Sequence, residues 1–266
     1  MTREEALAMY HPIRASVRRI LSAAFRVCNQ ADLMRAAKQL GLWADGKIVL
    51  PEDEAAEMLA DVALFEPNQR GRRAFDTFLG GKALQLEAGD FELARRTGGA
   101  FFSLFRFSAR HEVAGVWLQD LLAGNRGLWL MDESMEASAS KDVAFGMRVF
   151  DAGEFHVGFG IAAPSDDETT EFSVEGVARN GRTPFRHPLA VTLYGDSLSG
   201  RTPLSLEAKE AFTSLLAGLV ESGQSACRPV GAGPTLQKVR ARKHKWRASA
   251  CPMVQMVTRA LASRVR

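Results

Sequence analysis

Between residue 100 and about residue 163 the hydrophobic pattern of this chain changes, and the change limits what it can fold into. Before that stretch, apolar residues recur at the spacing of a helix face. Within it they come in short aromatic and β-branched runs separated by Gly, Asn and Asp. Residues 101–107, 113–118, 128–131, 147–150 and 155–159 read as strands. Gly124-Asn125 marks one turn and Asp151-Ala152-Gly153 another. About five strands packed so closely in sequence predict a compact antiparallel sheet or a small barrel. The expected fold class is therefore α+β, with a helical N-terminal region, a small antiparallel β sheet or barrel, and C-terminal helices.

The first 99 residues supply the helices. Thr2 followed by Glu5 fits a capping box. Pro12 is expected to break the first helix and start a second, with Ile13, Val17, Ile20, Leu21 and Ala24 on one face. Asn29 caps a further helix that buries Leu33, Ala36, Ala37 and Leu40 and stops at Gly41. Asp45-Gly46 is a tight-turn pair. Pro51 to Glu54 opens a helix with anions in its first turn, burying Met58, Leu59, Val62 and Phe65. One more helix is expected from about residue 70 to the Gly80-Gly81 stop. Beyond the β segment, residues 164–203 read as polar and turn-rich, apart from a strand over residues 189–194. A helix follows over residues 206–220. The expected organisation is a helical region (1–99), a β module with its packing helix (100–222) and a basic extension (223–266).

Charge divides the chain. It carries 34 Lys+Arg and 31 Asp+Glu, for a formal net charge of +3. From Ser222 onward there is no Asp or Glu and there are 10 cations, which leaves 24 cations against 31 anions in residues 1–221. An acidic body with a basic end points to an electrostatic partner. Three scattered cysteines, Cys28, Cys227 and Cys251, form no disulfide framework and read as thiols in a reducing compartment. The opening residues lack an apolar leader segment, and no apolar run reaches the roughly 18–20 residues of a membrane span. A cytoplasmic location is expected.

The segment Asp120-Leu121-Leu122-Ala123-Gly124, Trp129-Leu130-Met131-Asp132-Glu133, Ser138-Ala139-Ser140 and Gly146-Met147-Arg148 resembles a group of uncharacterised bacterial proteins. In that group a D-L-L-x-G hairpin precedes a strand, and some members carry a SEC-C-type zinc motif. The Cys/His run of that motif is absent here. The resemblance implies a turn-and-strand arrangement and no activity.

Three motifs invite a chemical reading. Gly195-Asp196-Ser197-Leu198 resembles the nucleophile block of SGNH-type esterases. Such a serine needs a histidine base and an acid. No Asp follows Asp196, the only later histidine is His244, and Ala241 stands three residues before it. The block reads instead as a strand-ending turn. Gly158-Phe159-Gly160-Ile161-Ala162-Ala163 matches a dinucleotide fingerprint in spacing alone. Pro164-Ser165-Asp166-Asp167 replaces the expected helix start with a breaker and two anions. Cys227, His244 and Cys251 lack the spacing of a zinc site. The acidic runs Glu52-Asp53-Glu54 and Asp166-Asp167-Glu168 read as a helix start and a solvated loop. No catalytic residue, metal ligand or cofactor is expected.

The basic extension is different. Lys238, Arg240, Arg242, Lys243, Lys245 and Arg247 cluster around His244 and Trp246. Cations neutralise phosphates and release counterions, and an indole can stack on a base. Val254, Val257, Leu261 and Val265 then fall near one helical face, with Arg259, Arg264 and Arg266 off it. The leading expectation is a non-enzymatic nucleic-acid-binding protein using Lys238, Arg240, Arg242, Lys243, Lys245, Trp246 and Arg247. The alternative is a protein–protein module whose extension docks on an acidic protein surface. A third reading is an enzyme whose site is assembled from residues distant in sequence.

Overall fold

The structure, a computed structural model, describes residues 1–138 and 143–200. Helix α1 (Arg3–Val27) opens on the expected capping box: the Glu5 amide donates to Thr2 Oγ1 at 3.2 Å and the Thr2 amide to Glu5 Oε2 at 2.7 Å. It does not break at Pro12. The proline sits on the exposed side, while Ala6, Tyr10, Val17, Ile20 and Leu21 bury the opposite stripe. Packing of that stripe over 25 residues outweighs one missing N–H bond.

Helix α2 (Gln30–Gln39) begins at Asn29, whose side chain accepts from the Asp32 amide at 2.8 Å. Strands β1 (Trp43–Ala44) and β2 (Lys47–Ile48) form a minimal hairpin in which Asp45 and Gly46 both take positive φ, 51° and 76°. That is the two-residue turn their dipeptide favours. Helix α3 (Asp53–Phe65) is buried nearly all round, from Ala55 to Phe65 apart from Glu57. Helices α4 (Ala74–Leu79) and α5 (Ala88–Gly98) complete the layer; α4 is shorter than the sequence predicts because residues 70–73 form a turn about Asn68.

Strands β3 (Phe101–Arg110), β4 (Val116–Asp120), β5 (Arg126–Leu130), β6 (Ala144–Asp151) and β7 (His156–Ser165) close into a barrel in the order β3-β4-β5-β7-β6. All neighbours are antiparallel except β5 and β7, which run parallel and meet at the pair Leu130–His156. A short helix, α6 (Glu133–Ser138), lies between β5 and β6 in the chain. Strand β4 starts later than expected, because residues 111–115 form a loop ending at Gly115 with φ 76°. A side chain at Gly115 would collide with the Leu130 carbonyl.

Alternation sorts the barrel residues. Phe105, Phe107, Val116, Leu118, Leu128, Leu130, Phe145, Met147 and Val149 fill the interior. On the outside, Leu104, Ala144 and Phe150 join the large core of the helical layer, which extends from Ala6 to Tyr194.

Two expectations fail in the last described part. Residues 189–194 are not a strand but the start of helix α8 (Leu189–Ser199), which ends at Gly200 in a left-handed conformation. A short, wholly apolar run fits a buried helix as well as a strand. Here burial of Leu189, Ala190, Val191, Leu193 and Tyr194 against the barrel and α3 settles it. Residues 166–168 are not a solvated loop. Asp166 caps helix α7 (Asp167–Asn180) by accepting from the Thr169 amide at 2.6 Å, and Asp167 and Glu168 occupy its first turn. The expected helix at 206–220 lies outside the described residues.

Candidate nucleic-acid interface

The seven residues singled out in the basic extension (Lys238, Arg240, Arg242, Lys243, Lys245, Trp246 and Arg247) lie outside the described residues. So do Cys227, His244 and Cys251. Within the described residues the features with chemical potential are one buried charge cluster and one aromatic face.

The charge cluster joins barrel and helices. Arg148 projects outward from β6 and is 3% exposed. Its Nε donates to Asp61 Oδ1 at 2.7 Å and one terminal nitrogen donates to Glu66 Oε1 at 2.6 Å. Phe65 and Phe102 lie 5.0 and 5.6 Å from the guanidinium carbon. Burial alone opposes the charge on Arg148, but Asp61 and Glu66 outweigh it and hold the group firmly protonated. The Tyr194 hydroxyl donates to the Ile161 carbonyl at 3.3 Å. Burial, reinforced by the Asp61 carboxylate, pushes its phenol well above the usual range. Arg148, Asp61, Glu66 and Tyr194 are all buried, so the cluster works as a joint between layers.

The aromatic face lies on the outside of β3, β4 and β5. Register places Arg106, Gln119 and Gly127 opposite one another in one row. Ala109, Trp117 and Trp129 form the adjacent row. Their sequence neighbours Phe107, Leu118, Leu128 and Leu130 point inward, so both rows point out. Trp117 and Trp129 are half-buried, and a side chain added at Gly127 would meet only open space. Arg106 forms no ion pair among the described residues.

Loop 111–115 folds over this face. The His111 ring stacks on Trp129 with centroids 3.8 Å apart and planes 2° from parallel, and it lies 4.8 Å from the Trp117 ring at 44°. Its Nδ1 accepts from the Val113 amide at 3.1 Å, so the ring proton sits on Nε2. Burial holds the His111 pKa below the ordinary histidine value. Trp129 Nε1 donates to the Ala114 carbonyl at 2.7 Å, and Trp117 Nε1 to Glu112 Oε2 at 3.3 Å. The loop is anchored where Glu136 accepts from the Gly115 amide at 3.0 Å while also binding Arg3 of α1. Tyr10 of α1 meets Phe155, which meets Trp129 edge-on, so α1 borders the face.

Reasoning on the sequence did not find this face. The signal was available: a turn at residues 121–125 places residues whose numbers are symmetric about it opposite each other, which pairs Trp117 with Trp129. The D-L-L-x-G segment is that turn. Asp120 accepts from the Leu122 and Ala123 amides, the Ser103 hydroxyl also donates to it, and Gly124 takes φ 67°. Ser197 lies in the last turn of α8, not behind a strand, and its hydroxyl finds no hydrogen-bond partner among the described residues. The Gly158–Ala163 string runs through β7 itself. Among the described residues no three His, Cys, Asp or Glu side chains converge as a metal site would require. No helix among them is long and apolar enough to cross a membrane.

Fold and face together define an α+β protein in which a closed five-stranded barrel is packed against a helical layer. The chain belongs to a family of unknown function, DUF7986, whose model matches residues 4–178. No curated protein and no solved structure matches it.

Proposed function

We propose that the protein is a non-enzymatic nucleic-acid-binding protein acting in the cytoplasm. The observation that carries the reading is the outer row pair on β3–β5, which sets two tryptophans beside the Arg106 guanidinium and the Gln119 carboxamide. Stacking on indole and attraction of phosphate to arginine are the two interactions that hold a nucleic acid strand irrespective of its sequence. Five-stranded Greek-key barrels of the OB type bind oligonucleotides on the face of their second and third strands, here β4 and β5. That parallel is one of fold, so the weight rests on the residues. In this reading Lys238, Arg240, Arg242, Lys243, Lys245 and Arg247 supply the phosphate contacts, with Trp246 as a further stacking group. The helical region to residue 99 supports the β module of residues 100–222, and the extension of residues 223–266 grips the backbone.

Fluorescence anisotropy with labelled single- and double-stranded DNA and RNA across a salt series tests the proposal. The full chain is compared with a truncation ending at Glu221. The full chain is expected to bind with a log K against log salt slope of about −4 on single strands if all six extension cations meet phosphates. The truncation is expected to lose most of that slope. Absence of binding by the full chain at low salt overturns the proposal and directs attention to an acidic protein partner for the extension.

A further inference from the structure

We infer that the slot filled by the His111 ring between Trp117 and Trp129 is the site of one unpaired nucleobase, and that His111 is its internal occupant in the free protein. The inference rests on the nucleic-acid reading above and assigns its ligand as single-stranded.

The geometry of the His111–Trp129 contact, two flat rings 3.8 Å apart and 2° from parallel, is that of a base on an indole. The ring arrives from a loop and not from the barrel framework. The ring itself is held by one hydrogen bond, from the Val113 amide, while the loop that carries it is tied down by the His111 amide to the Gly115 carbonyl and by both indoles, Trp129 to Ala114 and Trp117 to Glu112. The tryptophans, by contrast, are fixed on paired strands. Gly115, with φ 76° and an anchored amide, and the fully buried Ala114 fix the end of the loop, so the ring leaves the slot by rotation of the His111 side chain.

The surroundings match a base and its backbone. The Gln119 carboxamide lies two residues along the strand from Trp117 and can both donate to and accept from a base edge. Arg106 is directly across from Gln119 and, with no ion-pair partner among the described residues, offers its charge to the adjoining phosphate. Gly127 leaves the space beside Trp129 open on the side away from the loop. Glu112, exposed above the loop, repels a phosphate on that side and so orients the strand toward Arg106. A base in a duplex already has both faces stacked and cannot enter, so the slot selects single strands.

Displacing an internal ring costs affinity, and removing that ring should return it. In the full chain, His111→Ala is expected to bind a short mixed-sequence single-stranded oligonucleotide about five- to tenfold more tightly than wild type, with duplex affinity unchanged. His111→Phe keeps the slot filled with a ring that stacks more strongly, and is expected to bind the single strand several-fold more weakly. In a Trp246→Phe background, which removes the indole of the extension, the oligonucleotide should still change tryptophan emission as one ring replaces another. Wild-type binding with an affinity that neither variant moves, or that falls in His111→Ala, overturns this inference alone. No binding by wild type or either variant overturns the nucleic-acid reading as well.

Discussion

Arg148 shows how much one residue can hold. It is a cation on the outside of a barrel strand, and it is answered by Asp61 in the last turns of α3 and by Glu66, the extended residue that follows the helix. Removing the cation strands the carboxylates away from water, which costs more than the pair itself contributes. Arg148→Met is therefore expected to destabilise the protein by about 3–5 kcal/mol, read as a lower urea midpoint. An unchanged midpoint would mean that the carboxylates find other partners. The sequence does not reveal this triad. Arg148 lies 82 residues from Glu66 and 87 from Asp61, and no local pattern couples a strand arginine to a helix so far away. Trp117 and Trp129 are a milder case, because their pairing follows once the turn is located.

At the scale of elements, what was legible is what is decided locally. The capping box at Thr2, the Asn29 cap, the Asp45-Gly46 hairpin and the five strands all rest on a residue's own backbone preferences. What was not legible is what tertiary burial decides. The run at residues 189–194 is β-branched and aromatic enough for a strand, yet it coils because its position over the barrel buries it on several sides. Pro12 is the opposite case, a helix breaker inside an unbroken helix. Its ring removes the bond that residue 12 would give to Ala8, and no buried contact compensates on that exposed side. Pro12→Ala is expected to stabilise α1 by about 1–3 kcal/mol, seen as a higher thermal midpoint. A lower midpoint would show that the proline sets a bend that the Tyr10–Phe155 contact needs.

Over the whole molecule, the helical layer and the barrel share one hydrophobic core that runs from Ala6 through Leu104 and Phe150 to Tyr194. With Trp43 and Trp246 replaced by Phe, emission from Trp117 and Trp129 reports on the barrel, and helix ellipticity reports on the helices, α1 to α5 among them. A common core with a buried ionic tie should melt as one unit, so the two signals are expected to fall together in urea. Separate midpoints would mean that the barrel stands without the helices. The sequence shows both textures, but not that they share a core. The residues that join them sit on the outward side of strands, where alternation alone predicts solvent.

The barrel closes at a single parallel pair, Leu130 with His156, while its other four seams are antiparallel ladders. It is better pictured as a curled ribbon fastened by a clasp than as a pipe. That clasp is two bonded residues long, Leu130 paired with His156 and the Met131 amide donating to the His156 carbonyl. Trp129 stands one residue before the clasp, so the seam that closes the cylinder also pins the end of the strand that carries the Trp117–Trp129 pair.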